Sequence, residues 1–383
     1  MTTGISFFEF AEHLLLIAAA AGCLYLLIAA YLASTFGPPA EKELWKPVPV
    51  SILVPLCGAE PQLADRLRKL CNQDYGGPLQ ILCGLHSQDD PAIESVNVVA
   101  AEGCGMPLEF KVDSRVYGRN RKISNLINIA AHAKHETLVL LDSDIEVDSN
   151  FVARMIAALQ APGTGAVSSI YRGVGGGSAC GRLAAVTQNA FFLPDAILAL
   201  RTKMAQPCFG AAVALSRTTL QRIGGLHAFA DHIDDDYAIG EAVRQIGLKI
   251  VIVRTAVAHI CGTRSWRELF AGELRAATTA RSIAPVGQAG RFLVYPFALA
   301  VLAALLGAGS PAIVLAVAGL ASRVWVARCF ARRFGGVAPA SSLIAMAEIL
   351  VFAAFVASWF CPTVTWRGNR YRLVDETPAE YRQ

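Results

Sequence analysis

Two aspartates, Asp142 and Asp144, come directly after the apolar residues 138–141. A short apolar run bounded by polar residues is typical of a buried strand in a mostly parallel sheet, and ligands of such sheets bind beyond the carboxyl ends of the strands. Carboxylates at positions i and i+2 of an extended chain lie on one side of it, and Mg²⁺ or Mn²⁺ takes such oxygens together with phosphate oxygens. We therefore predict a divalent-metal site at Asp142 and Asp144 that faces a diphosphate. The alternative is an aspartate-rich turn without chemistry.

Two further acidic groups lie at the ends of predicted elements. Asp89 and Asp90 follow an apolar run, and three aspartates at 234–236 open a helical segment. A transferase that uses a nucleotide sugar needs a carboxylate for the nucleotide, a metal-binding pair for the leaving diphosphate, and a carboxylate that takes the proton of the incoming hydroxyl. Lys122 and Arg275 would add positive charge near the diphosphate. Each acidic group alone is more often structural, but together they favour this chemistry.

The elements that must position these residues alternate between strands and helices. Apolar runs predict strands at 50–55, 79–84, 108–112, 137–141, 165–170 and 249–253. Helical spacing predicts helices at 63–70, 92–101, 122–133, 151–159 and 237–246. This alternation indicates an α/β domain whose mostly parallel sheet is flanked by helices. The glycine-rich residues 173–181 are predicted to form a loop.

The composition indicates a membrane protein. Hydrophobic residues make up 54% of the chain and charged residues 17%, with mean hydropathy +0.44, which is too apolar for a wholly soluble chain. Residues 14–36 are long enough to span a bilayer, and apolar segments at 292–307, 312–326 and 343–360 give two to three further membrane helices. Acidic residues precede the first segment and lysines follow it, so we predict an uncleaved anchor with its N-terminus outside and the sheet domain inside. The net charge of +4 and the lack of a long basic run argue against a nucleic-acid partner.

The predicted organisation has six parts. They are a tail at 1–13, an anchor at 14–36, the sheet domain at 48–262, an amphipathic interfacial region at 263–290, membrane helices at 291–361 and a basic tail at 362–383. The helix at 266–281 carries Trp and Phe on one side, which suits a membrane interface, although a surface helix is the alternative. Four full spans would put the basic tail outside, so either the last segment is re-entrant or interfacial or the positive-inside rule fails here; we predict a cytoplasmic tail. The ten cysteines lack metal-ligand spacing and are predicted to be reduced, as in the cytoplasm.

Several motifs recur in order between about Val50 and Leu373. They are Gln88-Asp-Asp-Pro-Ala92, Gly118-Arg-Asn-Arg-Lys-Ile-Ser-Asn-Leu126, Asp142-Ser-Asp-Ile145, Asp236-Tyr237, Pro362-Thr-Val-Thr-Trp-Arg367 and Arg370-Tyr-Arg-Leu373. This order resembles the ceramide glucosyltransferase-like family of membrane glycosyltransferases. Within that family, the chain looks most similar to the bacterial hopanoid-biosynthesis branch, in the stretches Pro55-Leu-Cys-Gly-Ala-Glu-Pro61, Ser143-Asp-Ile145, Tyr171-Arg-Gly173 and Pro207-Cys-Phe-Gly-Ala211. The family's Q-x-x-R-W motif is only partly kept, as Gly272-Glu-Leu-Arg-Ala276, which retains Arg275 and lacks the first and last residues.

The resemblance implies a GT-A fold, a bacterial inner-membrane location and inverting transfer of a sugar from a UDP-sugar to a lipid hydroxyl. It implies that Asp90 binds uridine, that Asp142 and Asp144 hold UDP through Mg²⁺ or Mn²⁺, and that Asp236 is the catalytic base, with Asp235 beside it. The implied sugar is N-acetylglucosamine and the implied acceptor a hopanoid polyol such as bacteriohopanetetrol. Glucose transfer to ceramide is the alternative.

Two other functional classes remain open on the sequence. A processive polysaccharide synthase would need enough helices to line a channel and an intact Q-x-x-R-W helix, and neither is evident. A non-catalytic membrane scaffold would not need the acidic residues, although Ala276 fits it. The sequence carries no signal for an oligomeric state.

Overall fold

The computed structural model describes residues 7–37, 45–203, 207–361, 363–366 and 369–372. The chain forms two compact units: the first contains Met1–Thr35, Gly175–Arg201 and Thr263–Gln383, and the second contains Phe36–Val174 and Thr202–Gly262. Residues 175–201 therefore interrupt the predicted sheet domain 48–262 and group with the membrane helices. The predicted tails 1–13 and 362–383 lie partly outside the described residues, as does the motif at 362–367.

The strands of the second unit form one sheet. In chain order they are β1 (Val50–Pro55), β2 (Leu79–Leu85), β3 (Leu108–Val112), β4 (Thr137–Leu141), β5 (Ile145–Glu146), β6 (Thr164–Gly175), β7 (Ala212–Ser216) and β8 (Lys249–Cys261). Their order in the sheet is β3-β2-β1-β4-β7-β6-β8-β5. The strands β1 to β4 are parallel, as predicted. The strand β7 runs antiparallel to both β4 and β6, and β5 runs antiparallel to β8.

The central strands are apolar because both of their faces are covered. Every residue of β1, β2 and β4 is buried, as expected of parallel strands with helices on both sides. Because side chains alternate along a strand, Ile52 belongs to the core on one face and Leu53 to the core on the other. This rigid layer carries the carboxyl ends of β1, β2 and β4 along one edge.

Helices surround the sheet and build the first unit. In chain order they are α1 (Phe7–Thr35), α2 (Leu63–Cys71), α3 (Ala92–Glu102), α4 (Arg121–Ala130), α5 (Phe151–Leu159), α6 (Ala179–Thr187), α7 (Leu193–Thr202), α8 (Arg217–Arg222), α9 (Asp235–Gln245), α10 (Trp266–Ile283), α11 (Pro285–Gly290), α12 (Pro296–Leu306), α13 (Gly309–Phe334) and α14 (Ser341–Ser358). A π-helical turn joins α6 to α7, and a 3₁₀ turn precedes α12. The short strands β9 (Thr363–Trp366) and β10 (Asn369–Arg372) form an antiparallel pair.

Four described helices are long and apolar enough to span a membrane: α1, the continuous segment Ala179–Thr202, α13 and α14. A fifth candidate, Pro285–Val294 with Pro296–Leu306, is bent by 70° and is either a broken span or a re-entrant loop. The anchor and the three C-terminal apolar segments are thus found where the sequence predicted them. The segment Ala179–Thr202 was not predicted, and part of it replaces the predicted loop at 173–181.

Chain connectivity restricts what Ala179–Thr202 can do. The strand before it, β6, pairs with the strand after it, β7, through Val167 and Ala214. A single membrane crossing between these strands would put two halves of one sheet on opposite sides of the bilayer. The segment therefore cannot be one simple span, although its length and composition allow it.

A buried ion pair lies among the helices of the first unit. Arg323 Nε lies 3.3 Å from Glu348 Oε2, and both side chains are 0% exposed. Arg323 also donates to the carbonyl oxygens of Ala190, at 2.9 Å, and of Val294, while Glu348 Oε1 accepts from the N–H of Phe297 at 2.8 Å. Irregular helix turns leave backbone groups without intrahelical partners. The ion pair therefore supplies hydrogen bonds to backbone groups of the π turn and of the bend before α12.

The expectation of reduced cysteines is wrong for one pair. Cys71, the last residue of α2, forms a disulfide with Cys104, just beyond α3. The two residues are separated by 33 positions in the chain, and nothing in the sequence spacing marks them as partners. The remaining eight cysteines are free.

Candidate active site

The turn after β4 is fixed to its neighbours by backbone hydrogen bonds. The N–H of Asp142 donates to Ala211 O at 3.1 Å, and the N–H of Ile260 donates to Asp144 O at 2.9 Å. Ser143, between the two aspartates, is buried. The side chains of Asp142 and Asp144 remain 30% and 45% exposed. The sequence-predicted pair is therefore accessible at the carboxyl end of β4.

Two residues that the sequence did not single out hold Ser143 in place. Ser143 Oγ donates to Glu60 Oε1 at 2.5 Å, and Arg66 Nε donates to Ser143 O at 2.6 Å. Arg66 and Glu60 also form an ion pair at 2.8 Å. The only sequence signal for Arg66 is its place among the apolar positions of α2. Together these contacts leave the two aspartates free to project away from the buried serine.

Lys122 connects two of the acidic groups. Its Nζ lies 2.8 Å from Asp142 Oδ1 and 3.2 Å from Asp235 Oδ2. The side chain of Asn120 caps α4 by accepting from Ile123 N–H at 3.1 Å, and its Nδ2 donates to Asp235 Oδ1 at 3.1 Å. The first turn of α4 therefore presents Lys122 between the end of β4 and the start of α9.

Asp236 lies next to this group but is held by the backbone. Its Oδ2 accepts from Gly210 N–H at 2.8 Å, and its Oδ1 accepts from the N–H of Tyr237 at 2.9 Å. A Cβ at position 210 would lie 3.0 Å from Asp236 Oδ2, so glycine permits this close approach. These two hydrogen bonds hold the carboxylate of Asp236 in one orientation.

Burial and like charges shift the proton affinity of the acidic group. Burial raises the pKa of Asp142 to about 7, against the opposing effect of Lys122. Burial, followed by the neighbouring Asp235, raises the pKa of Asp236 to about 6. Burial alone would lower the pKa of Lys122, but Asp142 and Asp235 outweigh it and raise that pKa. The site holds more negative charge than Lys122 can neutralise.

Asp144 contacts a histidine that the sequence did not single out. Strand pairing places His259 of β8 opposite Ile145, and its Nε2 lies 3.2 Å from Asp144 Oδ2. Burial would raise the pKa of Asp144, but His259 outweighs it and the pKa is lowered. Burial would lower the pKa of His259, yet Asp144 raises it well above its usual value. The available sequence signal was a single histidine within the apolar residues 256–261.

Asp90 lies in the loop between β2 and α3, where the sequence predicts a nucleotide-binding carboxylate. Its two oxygens each accept from Gly58 N–H at 3.0 Å, and Oδ1 also accepts from the N–H of Ala92 at 2.9 Å. Asp90 thus ties the loop after β1 to the start of α3. Contact with a uridine stays a prediction.

Arg275 lies on α10, in the first unit. Its neighbour Glu273 accepts from Thr187 Oγ1 at 2.6 Å within that unit. Of the sequence-predicted site residues, the structure brings together Lys122, Asp142, Asp144, Asp235 and Asp236, with Asp90 at the end of a strand in the same sheet. The catalytic role of Arg275 stays a prediction.

Asp142 and Asp144 can bind a divalent cation whose remaining ligands are phosphate oxygens and water. Within the described ranges, no three His, Cys, Asp or Glu side chains form a preformed metal site, and Asp142 is turned towards Lys122. Carboxylate oxygens are nevertheless the ligands that Mg²⁺ and Mn²⁺ prefer, and Mg²⁺ commonly takes only one or two of them together with phosphates and water. Asp142 and Asp144 meet that requirement.

Comparisons with known proteins give one family match and several weaker similarities. The model of glycosyl transferase family 21 matches residues 14–379. A ceramide glucosyltransferase of Candida albicans is 27% identical over 121 residues, which cover 29% of this chain but only 22% of that protein. Similar solved structures include a mannosyltransferase from Pyrobaculum calidifontis in complex with GDP-Man and Mn²⁺, at 18% identity and TM-score 0.47, covering 91% of this chain and 99% of that one. Another is glucosyl-3-phosphoglycerate synthase from Mycobacterium tuberculosis in complex with Mg²⁺ and UDP, at 22% identity and TM-score 0.37. That match covers 61% of this chain and 78% of the synthase chain. The family match and the observed sheet confirm the predicted fold class, a GT-A domain with membrane helices.

Proposed function

The chain belongs to glycosyl transferase family 21, and on that premise we propose that it is an inverting glycosyltransferase that moves a sugar from a UDP-sugar to a hydroxyl of a membrane lipid. The observation that carries the proposal is the position of Lys122, between Asp142 and Asp235 at 2.8 and 3.2 Å. Lys122 contacts both Asp142, which is suited to bind a metal–diphosphate complex, and the start of α9, which carries the proposed base. One compact group therefore has both parts that a single-displacement transfer needs.

Asp236 is the proton acceptor in this proposal. Its carboxylate takes the proton of the acceptor hydroxyl while that oxygen forms a bond to the anomeric carbon. At the same time the bond between the anomeric carbon and the diphosphate oxygen breaks, UDP leaves with the electron pair, and the anomeric configuration inverts. The backbone N–H groups of Gly210 and Tyr237 hold the carboxylate in one direction, and Asp235 positions Lys122.

The donor half of the site consists of Asp90, Lys122, Asp142 and Asp144. A bound Mg²⁺ or Mn²⁺ supplies charge neutralisation on the leaving diphosphate. Asp142 and Asp144 would hold that ion, and Lys122 would turn from Asp142 towards the phosphates when the ion binds. Asp90 would meet the uridine next to the loop that it holds at Gly58.

The proposed acceptor is a hopanoid polyol such as bacteriohopanetetrol, and the proposed donor is UDP-N-acetylglucosamine. Stretches that resemble the hopanoid-biosynthesis branch, such as Pro207-Cys-Phe-Gly-Ala211, support this choice. The second candidate is glucose transfer to ceramide, which the similarity to the ceramide glucosyltransferase favours. Apolar helices of spanning length support a membrane lipid in both cases.

We place the protein in the bacterial inner membrane with its sheet in the cytoplasm. The disulfide removes the support that reduced cysteines would have given, so this orientation depends on the charges that flank α1. A contact within the first unit supports a cytoplasmic tail: Arg281 of α10 donates to Cys361 O, beyond α14, at 3.1 Å. The charged α10 is unsuited to cross a bilayer, so the end of α14 lies on the side where α10 ends.

Mass spectrometry of reaction products tests the proposal. Purified full-length protein in lipid nanodiscs is given a panel of UDP-sugars with a hopanoid polyol or ceramide, with Mn²⁺ and Mg²⁺ present. We expect UDP release and a lipid carrying one sugar of inverted configuration, with the Asp142→Ala variant as the inactive control. Polymeric products would indicate a synthase, and a lack of UDP release with every donor would indicate a scaffold.

A further inference from the structure

We propose that Arg172 binds the head group of the lipid acceptor, where it donates hydrogen bonds to a hydroxyl next to the one that reacts. This inference depends on the proposed function, because it assigns a residue to the acceptor of that same transfer. It also names a substrate class, which is a neutral lipid with at least two neighbouring hydroxyls. Both acceptor candidates, a hopanoid polyol and ceramide, belong to that class.

The strand β6 carries Arg172 to the edge of the sheet where the aspartates lie. Because β7 is antiparallel to both β4 and β6, those two strands run in the same direction. Ser168 of β6 pairs with Val213, and Ala212 beside it pairs with the last residue of β4. Since β6 continues to Gly175, its last residues, Arg172 among them, extend beyond the carboxyl end of β4.

The side chain of Arg172 belongs to the face of the sheet that α9 covers. Successive side chains of a strand point to opposite faces. Tyr171 packs against the core on one face, whereas Ala166 belongs to the other core together with Ile239 of α9. Arg172 is an even number of residues from Ala166 and therefore shares its face. It lies on the side of the sheet where α9 presents the proposed base.

The order of the strands places Arg172 beyond that base. From Asp90, between β2 and α3, the edge continues through β1 and β4, which Asp142 follows, to β7. Asp236 accepts from Gly210, just before β7, and the next strand in the sheet is β6. Inversion requires the incoming hydroxyl to approach from the side opposite the leaving group. The end of β6 is therefore on the acceptor side of the base, away from the nucleotide.

The guanidinium of Arg172 makes no hydrogen bond or ion pair within the described residues, although its side chain is half-buried. The other buried or half-buried arginines described in the second unit all have a carboxylate or carbonyl partner; they are Arg66, Arg154, Arg217 and Arg244. Arginine has five N–H donors and no acceptor, and a charge removed from water is destabilising unless it is paired. A ligand with oxygen acceptors would supply the missing partners.

The neighbouring charges favour a neutral ligand over an anionic one. Asp235 and Asp236 open α9, and Lys122 is shared between Asp235 and Asp142. These carboxylates would repel an anionic head group, whereas hydroxyl oxygens accept hydrogen bonds from a guanidinium without adding charge. A lipid with one hydroxyl would present it to Asp236 and leave Arg172 unpaired. The site therefore favours a second hydroxyl next to the reacting one.

Binding of two lipids that differ in their number of hydroxyls tests this role. Full-length protein in nanodiscs with UDP and Mn²⁺ is given increasing amounts of a hopanoid polyol or of a hopanoid with one terminal hydroxyl, and binding is measured by native mass spectrometry. We expect Arg172→Gln to raise the dissociation constant of the polyol at least about tenfold, because hydrogen bonds to a charged group are lost. The constants of the single-hydroxyl lipid and of UDP should not change. Arg222→Gln, at an exposed arginine of the same unit, is the control and should alter none of them.

A second variant, Arg172→Lys, guards against misfolding, and UDP binding reports whether each variant keeps its fold. Lysine keeps the charge without the planar fork of donors, so this variant should lose part of the preference for the polyol. An equal loss for both lipids, a loss confined to UDP, or a wild-type protein that does not prefer the polyol overturns the assignment. A folded Arg172→Gln protein that glycosylates the polyol with an unchanged KM also overturns it and leaves the proposed transfer intact. Polyol binding that depends on Arg172, without UDP release from any UDP-sugar, would remove the proposed transfer and leave the polyol site.

Discussion

Two charge groups of this protein, one partly exposed and one fully buried, differ in how completely their charges are matched. In the second unit, Lys122 faces both Asp142 and Asp235, Asp236 adds further negative charge, and the side chain of Asp142 is 30% exposed. Asp144 has its own partner, His259. In the first unit, Arg323 and Glu348 match one to one, and both are 0% exposed. The remaining polar atoms of that pair bind backbone groups at irregular helix turns.

The difference shows how a charge group can be assigned before any ligand is known. A buried pair that lost one partner would leave an uncompensated charge, so complete matching is what a structural role requires. Carboxylates in excess raise each other's pKa and create a place where a cation is stabilising. The group around Lys122 is therefore suited to bind something, whereas the Arg323–Glu348 pair is suited to hold helices together.

The largest effect is expected at the proposed base. Asp236→Asn keeps the size of the side chain and removes the proton acceptor, so turnover should fall by about 10²- to 10⁴-fold while UDP-sugar affinity stays nearly unchanged. Asp235→Asn should be milder, because Asp235 contacts Lys122 and Asn120. Turnover and binding are measured side by side. If Asp235→Asn abolishes turnover and Asp236→Asn does not, the base is Asp235.

Removing a proposed metal ligand should come next. Asp142→Ala should lower turnover by about 10³-fold, since charge neutralisation by a bound ion contributes several kcal/mol. It should also weaken UDP-sugar binding only when Mn²⁺ or Mg²⁺ is present. Calorimetry with and without the ion measures this dependence. Full wild-type activity in excess chelator would contradict a metal-dependent site.

The structural pair should respond in the opposite way. Glu348→Ala leaves Arg323 charged and buried, so the free energy of unfolding should fall by about 3–5 kcal/mol, measured by thermal melting in detergent. Turnover per folded molecule should stay the same. The double variant Arg323→Met with Glu348→Leu should recover only part of the lost stability, because the backbone groups of Ala190, Val294 and Phe297 lose their side-chain partners. A Glu348→Ala protein that melts normally but is inactive would move this pair into the chemistry.

The smallest expected change is a shift in the pH profile. Because the pKa of Asp236 is raised to about 6, turnover at saturating donor should fall about tenfold per pH unit below that value and level off above it. The sign follows because a base acts only when ionised. Asp235→Asn removes one of the causes of the raised pKa and should move the acidic limb to lower pH. If the acidic limb of the pH profile does not move in Asp235→Asn, a group other than Asp236 controls that limb.

The sequence predicted the parts of the fold that depend on local pattern. The strands β1, β2, β3 and β4 lie where apolar runs end in polar residues, so Asp142 and Asp144 were placed correctly at the end of β4. The segment Ala179–Thr202 was missed because Arg182, Asp195 and Arg201 interrupt its hydropathy. In the structure Arg182 and Arg201 are exposed, and Asp195 pairs with Arg291 at 3.0 Å, a contact between distant residues that hydropathy does not show.

Contacts between distant residues account for the rest of what was missed. The Cys71–Cys104 disulfide, the support of Ser143 by Arg66 and Glu60, and the contact of His259 with Asp144 each join separate elements. Residue type shows that such side chains are capable of these contacts, but only the sheet register brings His259 to Asp144. The sequence therefore predicts which residue types form the site, but it does not predict which residues contact each other.

The discontinuous first unit has a consequence for synthesis of the chain. The helix α1 is made first, yet Leu15 and Ala19 pack against Leu299 and Ala303 of α12, which is made only after the whole sheet. Closing so long a loop adds little free energy, because the entropy cost grows slowly with length. The consequence concerns timing. In a nascent chain, β1 to β4 can form before the helices that pack against α1 have been synthesised. A ribosome that stops before α12 would thus release a chain with a finished catalytic sheet and an unfinished membrane anchor.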